Sequence, residues 1–142
     1  MPEQLILLID DHRMPMVFYV QALERAGFVV EHCFDPDSAI AVANARAEEV
    51  GAIILDIMMP AGKQYADKDT DDGLRTGVLL YQDLVKICPD VPLIILTNVS
   101  DEAVLASLPR RDNMRVVAKL NATPQQLTSQ VLEMLRDRTS GN

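Results

Sequence analysis

Residues 52–60 read AIILDIMMP: an apolar run ends on a single aspartate, Asp56, and the chain turns at Pro60. A run that is apolar throughout, with no polar alternation, is what a strand covered on both faces requires, and such strands belong to parallel sheets. An aspartate after a strand is by itself ordinary turn chemistry. What Asp56 does therefore depends on what else in the chain ends the same way.

Working outward, three further runs share the character of this one: LILLI (5–9), PLIILT (92–97) and the weaker RVVAK (115–119), with FVVEHCF (28–34) a more mixed fifth. Between them lie segments of helical period. The first helix is expected from Pro15 to Ala26, with Val17, Phe18, Val20 and Leu23 inward and Gly27 closing it. The second opens on Asp35 as N-cap with Pro36 at its first position, turns Ala39, Ile40, Ala43 and Ala47 inward, and ends near Val50-Gly51. The third is expected from Thr76 to Ile87, with Val78, Leu79 or Leu80, and Leu84 inward. A short fourth runs from Asp101 to Leu108 and stops at Pro109. The fifth starts from a capping box, Thr123 with Gln126, and continues through Leu127, Val131, Leu132 and Leu135. Five strands alternating with five helices describe an α/β domain, a doubly wound five-stranded parallel sheet with helices on both faces, occupying residues 1–142 as one unit.

The chain has 142 residues, 49 % of them hydrophobic, which is enough for one core. A formal charge of −8, with Arg110, Arg111 and Arg115 as the one close basic group, speaks against a nucleic-acid partner. The run from Leu5 to Ile9 is too short for a membrane span or a secretory signal, and Cys33 and Cys88 have no Cys or His at metal-binding spacing. A cytoplasmic protein with two reduced, packed thiols and no membrane partner is expected.

In an open parallel sheet, ligands gather at the carboxyl ends of the strands. There the sequence places Asp10 and Asp11 after the first strand, Asp56 after the third, Thr97 at the end of the fourth and Lys119 at the end of the fifth. Carboxylates brought this close repel by roughly 4 kcal/mol per pair at 4 Å and an effective dielectric near 20, so the cluster must take up a proton or a cation. A hard divalent ion suits an all-oxygen donor set, and Mg²⁺ suits one that must also accept phosphate oxygens. Lys119 and the Thr97 hydroxyl would face an anion beside the ion, with a carboxylate nucleophile between them.

These motifs resemble the receiver domains of two-component response regulators. The paired acids lie in LLIDDH (7–12), the acceptor in IILDIMMP (53–60), the hydroxyl residue in LIILT (93–97) and the lysine in VVAK (116–119), a likeness covering about residues 4–136. It implies a flavodoxin-like receiver fold. It further implies that Asp56 takes a phosphoryl group from a sensor histidine kinase or phosphotransfer protein, and that the chain signals to a downstream protein by contact. Asp11, Asp56 and the main-chain carbonyl of Met58 would bind Mg²⁺ directly, and Asp10 through water. Thr97 and Lys119 would bind the phosphoryl oxygens and act as the switch. Met58 and Val99 would flank the path of the hydrolytic water and tune dephosphorylation. Homodimerisation stays open.

Three positions depart from the family. Val116 stands where a switch aromatic is usual, Leu120 replaces the proline after the lysine and leaves the Lys119–Leu120 peptide isomer open, and the fourth helix is short. These departures support an alternative, a degenerate receiver serving as a phosphorylation-independent interaction module. An aspartyl-phosphate phosphatase is disfavoured because Met58 stands two residues after Asp56, where those enzymes carry a second aspartate. An insertion of about a dozen residues, roughly 61–75, separates Pro60 from the third helix. Its DTDDG lacks the rest of a calcium-loop pattern. It reads as a surface segment, either a bare solvated loop or one with a role in partner recognition or in gating the site, with Lys63, Gln64 or Asp67 able to fold over it. His12 is expected to face solvent or the substrate, and Met14, Met16, Met58 and Met59 to pack.

Overall fold

The computed structural model describes residues 4–70, 73, 75–98 and 102–140. Within them the strands are β1 (Leu5–Ile9), β2 (Val29–Cys33), β3 (Val50–Leu55), β4 (Leu93–Thr97) and β5 (Met114–Ala118). The helices are α1 (Met16–Arg25), α2 (Pro36–Ala45), α3 (Thr76–Ile87), α4 (Glu102–Ala106) and α5 (Pro124–Ser140). All strands are parallel, in the order β2-β1-β3-β4-β5.

Strict alternation along the strands builds two cores. Leu5, Leu7 and Ile9 of β1 join Ile53, Leu55, Leu93 and Ile95 in a layer with Ala39 and Ala43 of α2, Val78, Leu80, Tyr81 and Leu84 of α3, and Val104 of α4. Ile6 and Leu8 join Ala52, Ile54, Ile94 and Leu96 on the other face, against Met16, Tyr19 and Leu23 of α1 and Leu127, Val131 and Met134 of α5. Both faces being covered, the strands can be apolar throughout.

Local chemistry accounts for the helix boundaries. Ser38 N–H donates to Asp35 Oδ1 at 2.7 Å, capping α2. Thr123 N–H donates to Gln126 Oε1 at 2.8 Å, and Gln126 N–H returns to Thr123 Oγ1 at 3.1 Å, the reciprocal box that opens α5. Gly27, at φ +100°, supplies the left-handed residue after α1.

Four expectations need correction. The buried stripe of α1 is Met16, Tyr19 and Leu23, with Phe18 half exposed, because Phe18 lies about 200° round the helix from Met16. Helix α2 stops at Ala45, where Arg46 leaves helical geometry and holds Glu49 at 2.9 Å through Nε, and a tight turn over Ala47–Glu49 leads to β3, which begins at Val50. Helix α4 closes at Ala106, and Asp101 lies outside the described residues. The inserted segment is not a bare loop: Tyr65 is only 4 % exposed and belongs to the core beneath α2 and α3.

Candidate functional site

Beyond Ile9 and Leu55 the ladder continues for one more step: Asp10 N–H donates to Cys33 O at 3.0 Å, and Asp56 N–H donates to Ile9 O at 2.9 Å. Each aspartate is thereby fixed as the first residue past its strand. The sheet order reverses direction at β1, so the crevice between the ends of β1 and β3 is the topological switch point, and both residues border it.

Inside the crevice the side chains converge. Lys119 Nζ lies 2.6 Å from Asp10 Oδ2 and 3.0 Å from Asp56 Oδ2. Asp56 Oδ1 accepts from Ile57 N–H at 2.7 Å. Asp10 and Asp56 are buried, and Lys119 nearly so. Burial opposes the charge on Lys119, but hydrogen bonds and charge from Asp10 and Asp56 outweigh it, so its pKa rises above the ordinary lysine value. Asp11 is half exposed, and its Oδ1 is an enclosed atom with no hydrogen-bond donor, though His12 Nδ1 stands 3.2 Å away. His12 Nδ1 is also 3.0 Å from Asp10 Oδ1, and the His12 amide donates to that same oxygen at 2.9 Å. The ring itself is largely exposed.

Asp10, Asp11, His12 and Asp56 each present one ligand atom within 4.8 Å of the others. Three of the four donors are carboxylate oxygens, and one ammonium cannot neutralise three carboxylates. The enclosed, donor-less Asp11 oxygen is what a hard cation would satisfy. The residues therefore fit Mg²⁺.

The other expected residues fall around this centre. Thr97 closes β4 and is buried, in register with Ala118 next to Lys119. Val116 pairs with Ile95 and packs half-buried against the α2–α3 core. Met58 is exposed and Met59 buried, so of the four methionines near the site Met16 and Met59 pack while Met14 and Met58 face outward. Val99 lies outside the described residues. The Lys119–Leu120 peptide is trans, residues Lys119–Asn121 form a single tight helical turn, and Leu120 is 90 % exposed. Cys33 and Cys88 are free and buried, and burial, helped by Glu31, pushes the Cys33 thiol up to about 11, so it stays protonated.

Several supporting residues escaped the sequence reading. Tyr19 Oη donates to Ala122 O at 2.6 Å and ties α1 to the turn that follows Lys119. Gly77 N–H donates to Ile57 O at 2.7 Å, and a Cβ there would meet Ile57 Cα and, at 2.5 Å, Asp56 O. Gly73, at φ +90°, accepts from Met59 N–H at 3.0 Å. The sequence signal for the glycines was DGLRTG itself, two glycines four apart where the chain presses against the residues at and just after Asp56.

No described helix is long and apolar enough to cross a membrane. Among solved structures, the fold is shared with a CheY-like receiver domain protein from Methanospirillum hungatei JF-1, at TM-score 0.76 and 19 % identity, over 99 % of this chain and 100 % of that one. A response regulator from Burkholderia pseudomallei, solved with a phosphorylated aspartic acid, a calcium ion and citrate, aligns at TM-score 0.70 and 21 % identity over 98 % of this chain and 71 % of that one. A curated relative is the C4-dicarboxylate transport transcriptional regulatory protein DctD of Rhizobium meliloti (strain 1021), 30 % identical over 96 residues, which are 68 % of this chain and 18 % of DctD. The chain thus spans under a fifth of that relative. The family model for the response regulator receiver domain matches residues 6–132, and the acid pocket lies within that span. With fold, pocket and family model in agreement, the chain belongs to the response regulator receiver domains, the phosphoaccepting domains of two-component signalling.

Proposed function

We propose that Asp56 is the phosphoacceptor, that it takes its phosphoryl group from a phosphohistidine on a sensor kinase or phosphotransfer protein, and that the phosphorylated chain signals by protein contact in the cytoplasm. The observation that carries this reading is the buried Lys119 ammonium bridging Asp10 and Asp56, with the donor-less Asp11 oxygen beside them.

The chemistry follows from which atoms are held. Ile57 N–H on Oδ1 and Lys119 on Oδ2 fix the plane of the Asp56 carboxylate, so an arriving phosphoryl donor meets an oriented nucleophile. A carboxylate oxygen bonds to phosphorus as the phosphorus–nitrogen bond to the donor imidazole breaks, and the nitrogen keeps the electron pair and takes up a proton. Lys119 then follows the negative charge from the carboxylate to the phosphoryl oxygens, and the Thr97 hydroxyl approaches them from the end of β4. Asp11, Asp56 and the Met58 carbonyl would hold Mg²⁺ directly and Asp10 through water, where it would supply charge neutralisation for the transferring group. The Burkholderia receiver that shares this fold was solved with a phosphorylated aspartic acid and a calcium ion, an aspartyl phosphate and a divalent cation of the kinds this reading requires.

The test is incubation with acetyl phosphate and Mg²⁺ followed by intact mass. Wild type should gain one phosphoryl group, and Asp56→Asn none. Full labelling of the variant would reject Asp56, and a wild type that stays unlabelled would favour the interaction-module reading suggested by Val116 and Leu120.

A further inference from the structure

The inserted segment is fastened at three points, and the last is the loop that carries Met58. At its start, Gly62 takes φ +65°, and the amides of Lys63 and Gln64 both donate to Asp37, at 2.9 Å to Oδ2 and 2.7 Å to Oδ1. One carboxylate on the first turn of α2 therefore gathers two backbone donors of a segment 26 and 27 residues away. In the middle, buried Tyr65 donates from Oη to Asp83 Oδ2 on α3 at 2.6 Å. At its end, buried Thr70 accepts Gly73 N–H on Oγ1 at 3.3 Å and Arg75 N–H on its carbonyl at 2.8 Å. The Gly73 carbonyl in turn receives the Met59 amide at 3.0 Å and, more weakly, Thr76 N–H at 3.4 Å.

Joined by the chain between them, these contacts form one path. It runs from Asp37 through the Lys63–Gln64 turn to Tyr65, which is bonded to Asp83, then along the chain to Thr70 and across to Gly73, Met59 and the peptide of Met58, two residues from Asp56. No atom of Asp37 or Tyr65 is among the ligand atoms of the pocket. Their reach to it is through backbone that other groups hold still. A segment clamped by a carboxylate and a buried phenol and bonded to the residue after Met58 is placed to fix the β3–α3 connection.

We propose that Asp37 and Tyr65 are positioning residues for the phosphoryl-transfer site: by clamping the inserted strap they set, through Gly73 and Met59, the orientation of the Met58 carbonyl toward the cation. The proposal rests on the reading of Met58 as a main-chain ligand. Coupling of this kind is reciprocal, so occupancy of the pocket should also tighten the strap.

The experiment measures Mg²⁺ affinity by calorimetry and amide exchange at Lys63, Gln64 and Tyr65 in wild type, Asp37→Ala, Asp37→Asn and Tyr65→Phe, at a temperature where all are folded. Asp37→Ala should speed exchange of the Lys63 and Gln64 amides and weaken Mg²⁺ by about three- to tenfold. Asp37→Asn keeps one carbonyl acceptor and should recover part of both effects. Tyr65→Phe should loosen exchange at Tyr65 with a smaller loss of affinity. In wild type, Mg²⁺ with beryllofluoride should slow exchange at the same amides. Unchanged Mg²⁺ affinity in an Asp37→Ala protein whose strap amides exchange faster overturns the proposal, and so does an Asp37→Ala protein whose strap amides stay protected. Asp11→Asn keeps the two readings apart: if it binds Mg²⁺ as wild type does, the ligand assignment is wrong, whereas the strap is judged by the difference between wild type and Asp37→Ala.

Discussion

Asp10, Asp56 and Lys119 meet because their strands end at the same edge of one sheet, and each is the residue just past its strand. The pairings of Asp37 with the Lys63 and Gln64 amides, and of Tyr65 with Asp83, have no comparable reason: these residues sit on a helix start, an irregular strap and the middle of α3, and only the folded backbone brings the partners together. The first group places charge where it is costly and useful. The second places an aromatic ring in the core and ties two surface backbone amides to one carboxylate. The difference teaches where sequence alone is informative. Residue type at a strand end carries both position and chemistry, while a strap residue carries neither until its partner is known.

The largest effect on this comparison should come from Tyr65→Ala. Removing a ring that is 4 % exposed leaves a hole beneath α2 and α3 and strands Asp83, for a loss of about 3–5 kcal/mol. Urea unfolding followed by circular dichroism measures it. A loss under about 1 kcal/mol would mean that the strap is as dispensable as its polar composition suggests, since surface insertions add little loop-closure cost.

Gly77→Ala tests the place where pocket and strap join. The added Cβ would press on Ile57 Cα and lie 2.5 Å from Asp56 O, both backbone atoms, so α3 must withdraw from β3. The expected cost is about 1–3 kcal/mol, together with slower labelling by acetyl phosphate under conditions where the variant remains folded. Labelling at the wild-type rate in that folded variant would show that the loop after Asp56 tolerates movement of α3.

Much of the architecture was legible from apolar runs with polar ends: LILLI is β1 residue for residue, and the third helix lies where its period placed it. The phase of α1 was not, because Met16 to Val20 is apolar without interruption and leaves the inward face undefined until the helix packs on β1 and β3. The end of α2 depended on Arg46 reaching Glu49 and Glu31, a choice between neighbours that periodicity does not weigh. In the pocket, residue identities could be read from strand ends, but the bridging of two carboxylates by Lys119 and the Tyr19 bond to Ala122 needed the third dimension. For the strap one signal was available. Tyr65 is one of six Tyr and Phe residues in the chain, and the lone aromatic of a mostly polar insertion has to go somewhere apolar.

The smallest expected effect concerns the lifetime of the phosphoryl group, and it falls on the residue the two regions share. Hydrolysis of an acyl phosphate requires a water in line with the scissile bond, and a polar side chain at the mouth can hold one there. Met58 stands two residues beyond Asp56 and is exposed at that position, where its thioether is only a weak hydrogen-bond acceptor. The strap does not supply the missing polar group through its backbone at Lys63 and Gln64, because both amides are committed to Asp37. Phosphorylated wild type should therefore decay slowly, and Met58→Asn about three- to tenfold faster, well short of the hundredfold or more of a positioned general base. Mg²⁺ affinity should not change, since the main-chain carbonyl survives the substitution and the strap contacts are made by Met59. Loss of label over time, followed by intact mass, decides the matter. Equal decay of the two proteins would mean that access of water is set elsewhere, and a fall in Mg²⁺ affinity would mean that the Met58 side chain, and not only its peptide, is part of what the strap holds in place.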